Sequence, residues 1–166
     1  GSPSRIESME SFEIFVVARA LHVIGVVVWI GGVAFVTTVL IPSLKKVANT
    51  DDRLALFEQL EGKFSLQAKV STLLTGVTGY YMLEVMNAWG RYQYLSFWWM
   101  HLMTFVWAVF TLVLFVLEPL VLHRWFAQRA TENSDSAFTW LHRMHIVLLT
   151  LSCIAIVGAM AGAHGL

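Results

Sequence analysis

Charged and apolar positions alternate in long blocks along this chain. Residues 20–41 carry no charged side chain, and ~20 residues rising ~1.5 Å each cross a hydrocarbon layer of ~30 Å. Further charge-free runs fill residues 70–83, extensible to 64–86, and residues 97–117 and 146–163. The pattern predicts four helices over about residues 12–41, 64–86, 96–122 and 138–163. Short connections between them make neighbours antiparallel. The predicted fold class is all-α, an integral membrane up-and-down four-helix bundle forming one domain over residues 9–166.

The second run is the least apolar, with Lys69 and Glu84 near its ends and Ser71, Thr72, Thr75 and Thr78 within it. Such hydroxyls bond back to their own helix or across to a neighbour, so this helix is expected to face protein more than lipid. Gly25, Gly31, Gly32, Gly76, Gly79, Gly158 and Gly162 are expected packing positions where backbones approach closely. Trp29 and Trp107, near the middle of their helices, read as bundle filler.

Residues 42–63 hold Lys45, Lys46, Arg53 and Lys63. Thr50 is the expected N-cap there, with Asp51 and Asp52 in the first turn. Leu54, Phe57 and Leu60 would line one side of either an interfacial helix or an extension of helix two. Residues 123–137 carry Arg124 and Arg129, with Arg143 just beyond, whereas residues 87–96 hold only Arg91. The positive-inside rule then puts the first and third connections in the cytoplasm and both termini outside, in a bacterial-type inner membrane. Trp89, Trp98 and Trp99 would mark the outer interface, and Trp125 and Trp140 the inner one.

Composition agrees: 57% of residues are hydrophobic and 13% charged, far from a soluble domain of this size. Eleven basic and eleven acidic residues leave no net charge, so nothing points to nucleic acid as a partner. Lipids are the expected surroundings, with a redox partner unidentified and a homo-oligomer open. The single cysteine, Cys153, reads as a small packing residue. Residues 1–8 read as a remnant ahead of an initiating Met9. No nucleotide loop, zinc-protease motif, nucleophile elbow or dinucleotide fingerprint occurs, which argues against a hydrolase or kinase.

The candidate chemistry lies with six histidines. Arg19, His22, Val26 and Trp29 recur at three- and four-residue spacing and share a helical face. His22 and His101 each fall ~8 residues outward of their helix midpoints, or ~12 Å above the bilayer centre. Two level imidazoles on facing helices suit the axial positions of haem b, with Arg19 beside a propionate. The simpler alternative is that each histidine bonds a hydroxyl or carbonyl on a neighbouring helix. His123, His142 and His145 form a looser inner layer. These would hold a second haem, line a proton or quinone site, or be interfacial residues beside Arg143, the favoured reading, which leaves His142 and His145 the weaker candidates for cofactor binding. Glu118, ahead of Pro119, would pair with Arg124 or Arg143. A sulfur-based alternative gathers Met82, Met86, Met100, Met103 and Met160 in the outer half, where thioethers with His22 and His101 suit Cu(I). Methionine is also ordinary core filler.

Leu21-His22 followed by Trp29-Ile30-Gly31-Gly32, with Pro42 closing the helix, resembles the first helix of CopD-type copper-resistance membrane proteins and of HemJ-type protoporphyrinogen oxidases. Lys63-Phe64-Ser65 leading to Leu73-Leu74-Thr75-Gly76-Val77-Thr78-Gly79 is similar to their following segment. The resemblance implies a haem ligand at His22 in the HemJ type, or a metal-handling residue there in the CopD type. The expected function is haem b binding for electron transfer or oxidation of a lipophilic substrate, an oxidoreductase if it is an enzyme. Copper binding or transport is the alternative, and a non-catalytic membrane subunit the third.

Overall fold

The structure, a computed structural model, describes residues 4–165. These residues are helical almost throughout, and no strand occurs among them. The first rod is α1 (Arg5–Phe35), a five-residue π-helical stretch (Val36–Leu40) and α2 (Ile41–Lys45). The second is α3 (Thr50–Met86). After two 3-10 turns (Trp89–Gln93 and Leu95–Phe97), the third comprises α4 (Trp98–Leu112), a ten-residue π-helical stretch (Val113–Leu122) and α5 (His123–Glu132). The fourth is α6 (Ser134–Ala163).

Three rods, Arg5–Lys45, Leu95–Glu132 and Ser134–Ala163, are long and apolar enough to cross a membrane. The second, α3, falls outside that group because Asp51, Asp52, Arg53, Glu58, Glu61 and Lys63 crowd its first half, and Lys69, Glu84 and the hydroxyl-bearing residues between them lower the hydropathy of its second. Its faces are nevertheless sorted for an apolar surround. Thr72, Thr75 and Thr78 are turned inward and buried, while Leu73 and Val77 are 57% and 61% exposed. A helix of a water-soluble protein is sorted the other way.

Side-chain contacts set the topology. Along α1, His22, Gly25, Gly32 and Phe35 meet Thr78, Thr75, Gln67 and Phe64 of α3 in falling order, so the two helices are antiparallel. Trp107 of α4 reaches Thr72 and Gly76 of α3, and Trp98 and Trp99 lie against Gly158 and Gly162 of α6. His142 of α6 reaches Thr37, closing an up-and-down ring of four rods. Two apolar cores result. One joins Trp29, Ile30 and Val33 with Val106, Phe110, Leu148 and Leu149 at mid-height, with Trp29 and Phe110 edge to face at 5.1 Å. The other packs Leu44, Phe126, Ala130, Ala137 and the wholly buried Phe138 beneath Leu54 and Phe57 at the lysine- and arginine-rich end.

Several local expectations are refined. The N-cap of α3 is Asn49, one residue before Thr50, and its side chain accepts from the N–H groups of Asp51 and Asp52. Residues 50–63 are an extension of helix two and not a separate interfacial helix. The first helix begins at Arg5, upstream of the expected start near residue 12, capped by Ser4 and Glu7 in a reciprocal capping box; residues 1–3 lie outside the described residues. Cys153 is exposed on α6, not packed.

At the same end Arg53 is 4% exposed. It donates to Ser134 Oγ at 3.0 Å, to Asp135 Oδ1 at 2.7 Å, and to the carbonyls of Lys45 and Val47 at 3.1 and 2.9 Å. One guanidinium thereby ties the α2–α3 turn to the start of α6.

Each π-helical stretch has a proline in it or two residues beyond it, and proline lacks the N–H that an α-helix needs and clashes with the carbonyl four residues back. In the first, the Ile41 N–H bonds Val36 O, five residues back, so the donor due to Thr37 O would be the absent N–H of Pro42. His142 Nε2 supplies it instead, at 2.9 Å. In the second, Pro119 lies within the stretch and the His123 N–H bonds Glu118 O, again five back.

Candidate functional site

His22 projects from α1 onto α3. Its Nδ1 lies 3.1 Å from Thr75 O and 3.0 Å from Thr78 Oγ1. The Thr78 hydroxyl proton is directed to Leu74 O at 2.7 Å, so toward the imidazole both neighbours are acceptors and Nδ1 must carry the hydrogen. In the neutral ring the lone pair is then on Nε2, which has no hydrogen-bond partner among the described residues. Gly79 makes room for the ring: a β-carbon there would stand 3.3 Å from His22 Cε1. Gly25, one turn further along α1, lets the two backbones meet, since its β-carbon would fall 2.7 Å from Thr75 Oγ1. Arg19 is exposed one turn toward the N-terminus.

His101 is held differently. Nδ1 faces Phe97 O at 3.0 Å and Nε2 faces Tyr92 O at 2.7 Å, which pins the 3-10 turns to the head of α4. A neutral ring donates to only one of these carbonyls, and its other nitrogen is covered by the second. His22 is engaged with α3 and His101 with its own loop, and no partner is common to the two. His142 bonds Thr37 O, and His145 Nδ1 bonds Leu141 O at 2.9 Å within its own helix. His22 and His142 therefore bond a neighbouring helix, as the simpler reading expects, whereas His101 and His145 bond carbonyls of their own loop and helix. Of the methionines, Met100 is buried in the core, Met82 and Met103 are half-buried, and Met86 and Met160 are exposed.

A second cluster escaped the sequence reading. Glu118 does not meet Arg124 or Arg143; it meets Glu61 of α3 and His123. His123 Nδ1 is 3.8 Å from Glu118 Oε1 and 4.0 Å from Glu61 Oε2, and the three donor atoms lie within 4.8 Å of one another. Gly62, Ser65, Leu66 and Lys69 complete the lining of a hollow of about 380 Å³. Burial, then a hydrogen bond that the protonated Glu61 carboxyl donates to Glu118 and the negative charge of Glu118, push the Glu61 carboxyl up from 4.5 to about 8, so at neutral pH the pair holds a proton. The signal missed was the proline between Glu118 and His123. At 100° per residue, positions five apart diverge by about 140° on an α-helix, whereas a π turn brings them to one side.

No family model matches the chain, and comparison with curated proteins and with solved structures yields no match either.

Proposed function

We propose that the chain is a haem b protein of the membrane, passing single electrons or oxidising a lipophilic substrate. The observation that supports it is His22. An Nδ1–H held by a backbone carbonyl and a threonine hydroxyl, with Nε2 left to face outward from that contact, is how proteins orient an imidazole for iron. The resemblance of residues 21–42 to HemJ-type proteins favours the same residue. His101 does not offer a free nitrogen in this arrangement, so the reading rests on His22, and bis-histidine ligation requires His101 to release Tyr92 O.

The haem would supply one-electron chemistry. The protein's own part is to fix the tautomer of His22 through Thr75 and Thr78, and to surround it with apolar helix faces that exclude water. In this reading α3 is the fourth crossing, its threonines inward and its valines toward lipid. The lysine- and arginine-rich end with Arg53 is cytoplasmic, and both termini lie outside.

The test is a visible spectrum of the detergent-purified full chain, oxidised and dithionite-reduced, with metal analysis on the same sample. A Soret band with reduced α and β peaks, lost in His22→Ala, is the expected result. A flat spectrum from haem-replete cells, or an unchanged one in His22→Ala, would overturn the reading, and stoichiometric copper would replace it.

A further inference from the structure

Five of the six histidines bond a backbone carbonyl through a ring nitrogen: His22, His101, His142, His145 and His164. His123 is the exception. Its Nδ1 is directed at two carboxylates contributed by different rods, Glu118 from its own and Glu61 from α3. Helix packing alone does not call for two adjacent carboxyl groups half-buried together, because each raises the cost of ionising the other. A proton or a cation must lie between them.

We infer that Glu61, Glu118 and His123 form a binding site for a divalent transition cation, Zn²⁺ foremost, at the arginine-rich end of the bundle. The donor set is two carboxylate oxygens and one imidazole nitrogen, which suits borderline cations, whereas Cu(I) prefers sulfur and Mg²⁺ an all-oxygen shell. Ligand atoms in a tetrahedral zinc site stand about 3.4 Å apart, given bonds of about 2.1 Å. The two separations from His123, 3.8 and 4.0 Å, therefore need a closure of about half an ångström, and the carboxylate pair, within 4.8 Å, one of at most about 1.4 Å, both within reach of rotamer adjustment in glutamates that face a hollow. Three protein ligands leave a position open to water or a small anion, and the hollow lies directly beside them. Lys69, which lines the same hollow, stands where it would hold such an anion or, without metal, temper the charge of the carboxylates. The site is separate from His22 and does not depend on haem.

The experiment uses the full chain in detergent, stripped with chelator, and titrates Zn²⁺ by calorimetry and Co²⁺ by its visible spectrum. One equivalent should bind. Glu61→Gln, Glu118→Gln and His123→Gln should each weaken binding by at least tenfold and remove the Co²⁺ ligand-field bands, while His164→Gln keeps both. The glutamine variants keep shape and hydrogen-bonding capacity, and their thermal midpoints in chelator check that the fold survives. Absence of stoichiometric binding by wild type, or retention of the bands in Glu61→Gln and His123→Gln, would overturn the inference.

Discussion

Substitution of Gly25 by alanine tests the contact on which the placement of His22 depends. A β-carbon at Gly25 would stand 2.7 Å from Thr75 Oγ1, 3.3 Å from Thr75 N and 3.4 Å from Ser71 O. Two of those atoms are backbone. The third cannot swing away freely, because the Thr75 hydroxyl donates to Ser71 O at 2.8 Å and another rotamer would break that bond. The helices must separate instead, and overpacking of this kind costs about 1–3 kcal/mol. Gly31 is the control, on the same helix with nothing within 4 Å of its β-carbon. Alanine there gains the helix preference that glycine lacks, about 1 kcal/mol, without any clash. Both substitutions share that gain, so the difference between them isolates the contact. At roughly 2–4 °C per kcal/mol for a chain of this size, a contact energy of about 2 kcal/mol makes Gly25→Ala melt about 4–8 °C below Gly31→Ala in detergent. The assay is the apparent midpoint by circular dichroism at one scan rate. Equal midpoints would refute the close α1–α3 approach and, with it, the seating of His22 on Thr75.

Arg53→Ala should destabilise by about 2 kcal/mol, since four bonds of a buried guanidinium are lost. Arg53→Lys should recover only part of that, because an ammonium cannot reproduce the planar fork, and Asp135→Asn should cost least, its carboxylate being 86% exposed; any other order in thermal melts contradicts the latch. Glu61 binds its proton more tightly folded than unfolded, so its contribution to stability is complete below about pH 4.5 and is lost as pH rises through about 8. Metal-free protein should therefore melt progressively lower across that window, and Glu61→Gln should flatten the slope. Pro119→Ala, which touches no donor atom, should restore α-helical register, turn Glu118 away from His123, and weaken Zn²⁺ binding in the same calorimetric titration.

The rods were legible because absence of charge over a membrane's thickness is a one-dimensional signal. The extension of α3 was less so: Leu54, Phe57 and Leu60 mark an amphipathic stretch equally well alone or continuous with residues 64–86, and only its packing of Phe57 against Phe126 and Phe138 decides. Depth was the other readable coordinate. It correctly separated His142, which reaches Thr37, from His22, which reaches Thr75, but depth says nothing about azimuth. His22 faces α3 and His101 faces its own loop, each with a carbonyl as partner, and counting residues from a midpoint does not reveal that.

Azimuth was also lost at the two prolines, for a shared reason. Extrapolating a 3.6-residue period assumes that every residue supplies an N–H to the carbonyl four back. Pro42 and Pro119 do not: Pro42 stands two residues after the first π-helical stretch and Pro119 within the second, near the same end of the bundle. At Pro42 the consequence is an unclaimed carbonyl, Thr37 O, which takes a histidine from α6 as its donor. At Pro119 it is a rotation that brings Glu118 and His123 to one side, where Glu61 meets them. The same covalent restriction therefore produces a structural bond in one rod and a converging donor set in another. What separates the two outcomes is the facing element: α6 offers Thr37 an imidazole N–H, whereas α3 offers Glu118 a second carboxyl, and a carboxyl pair requires a proton or a cation where a carbonyl requires only a donor.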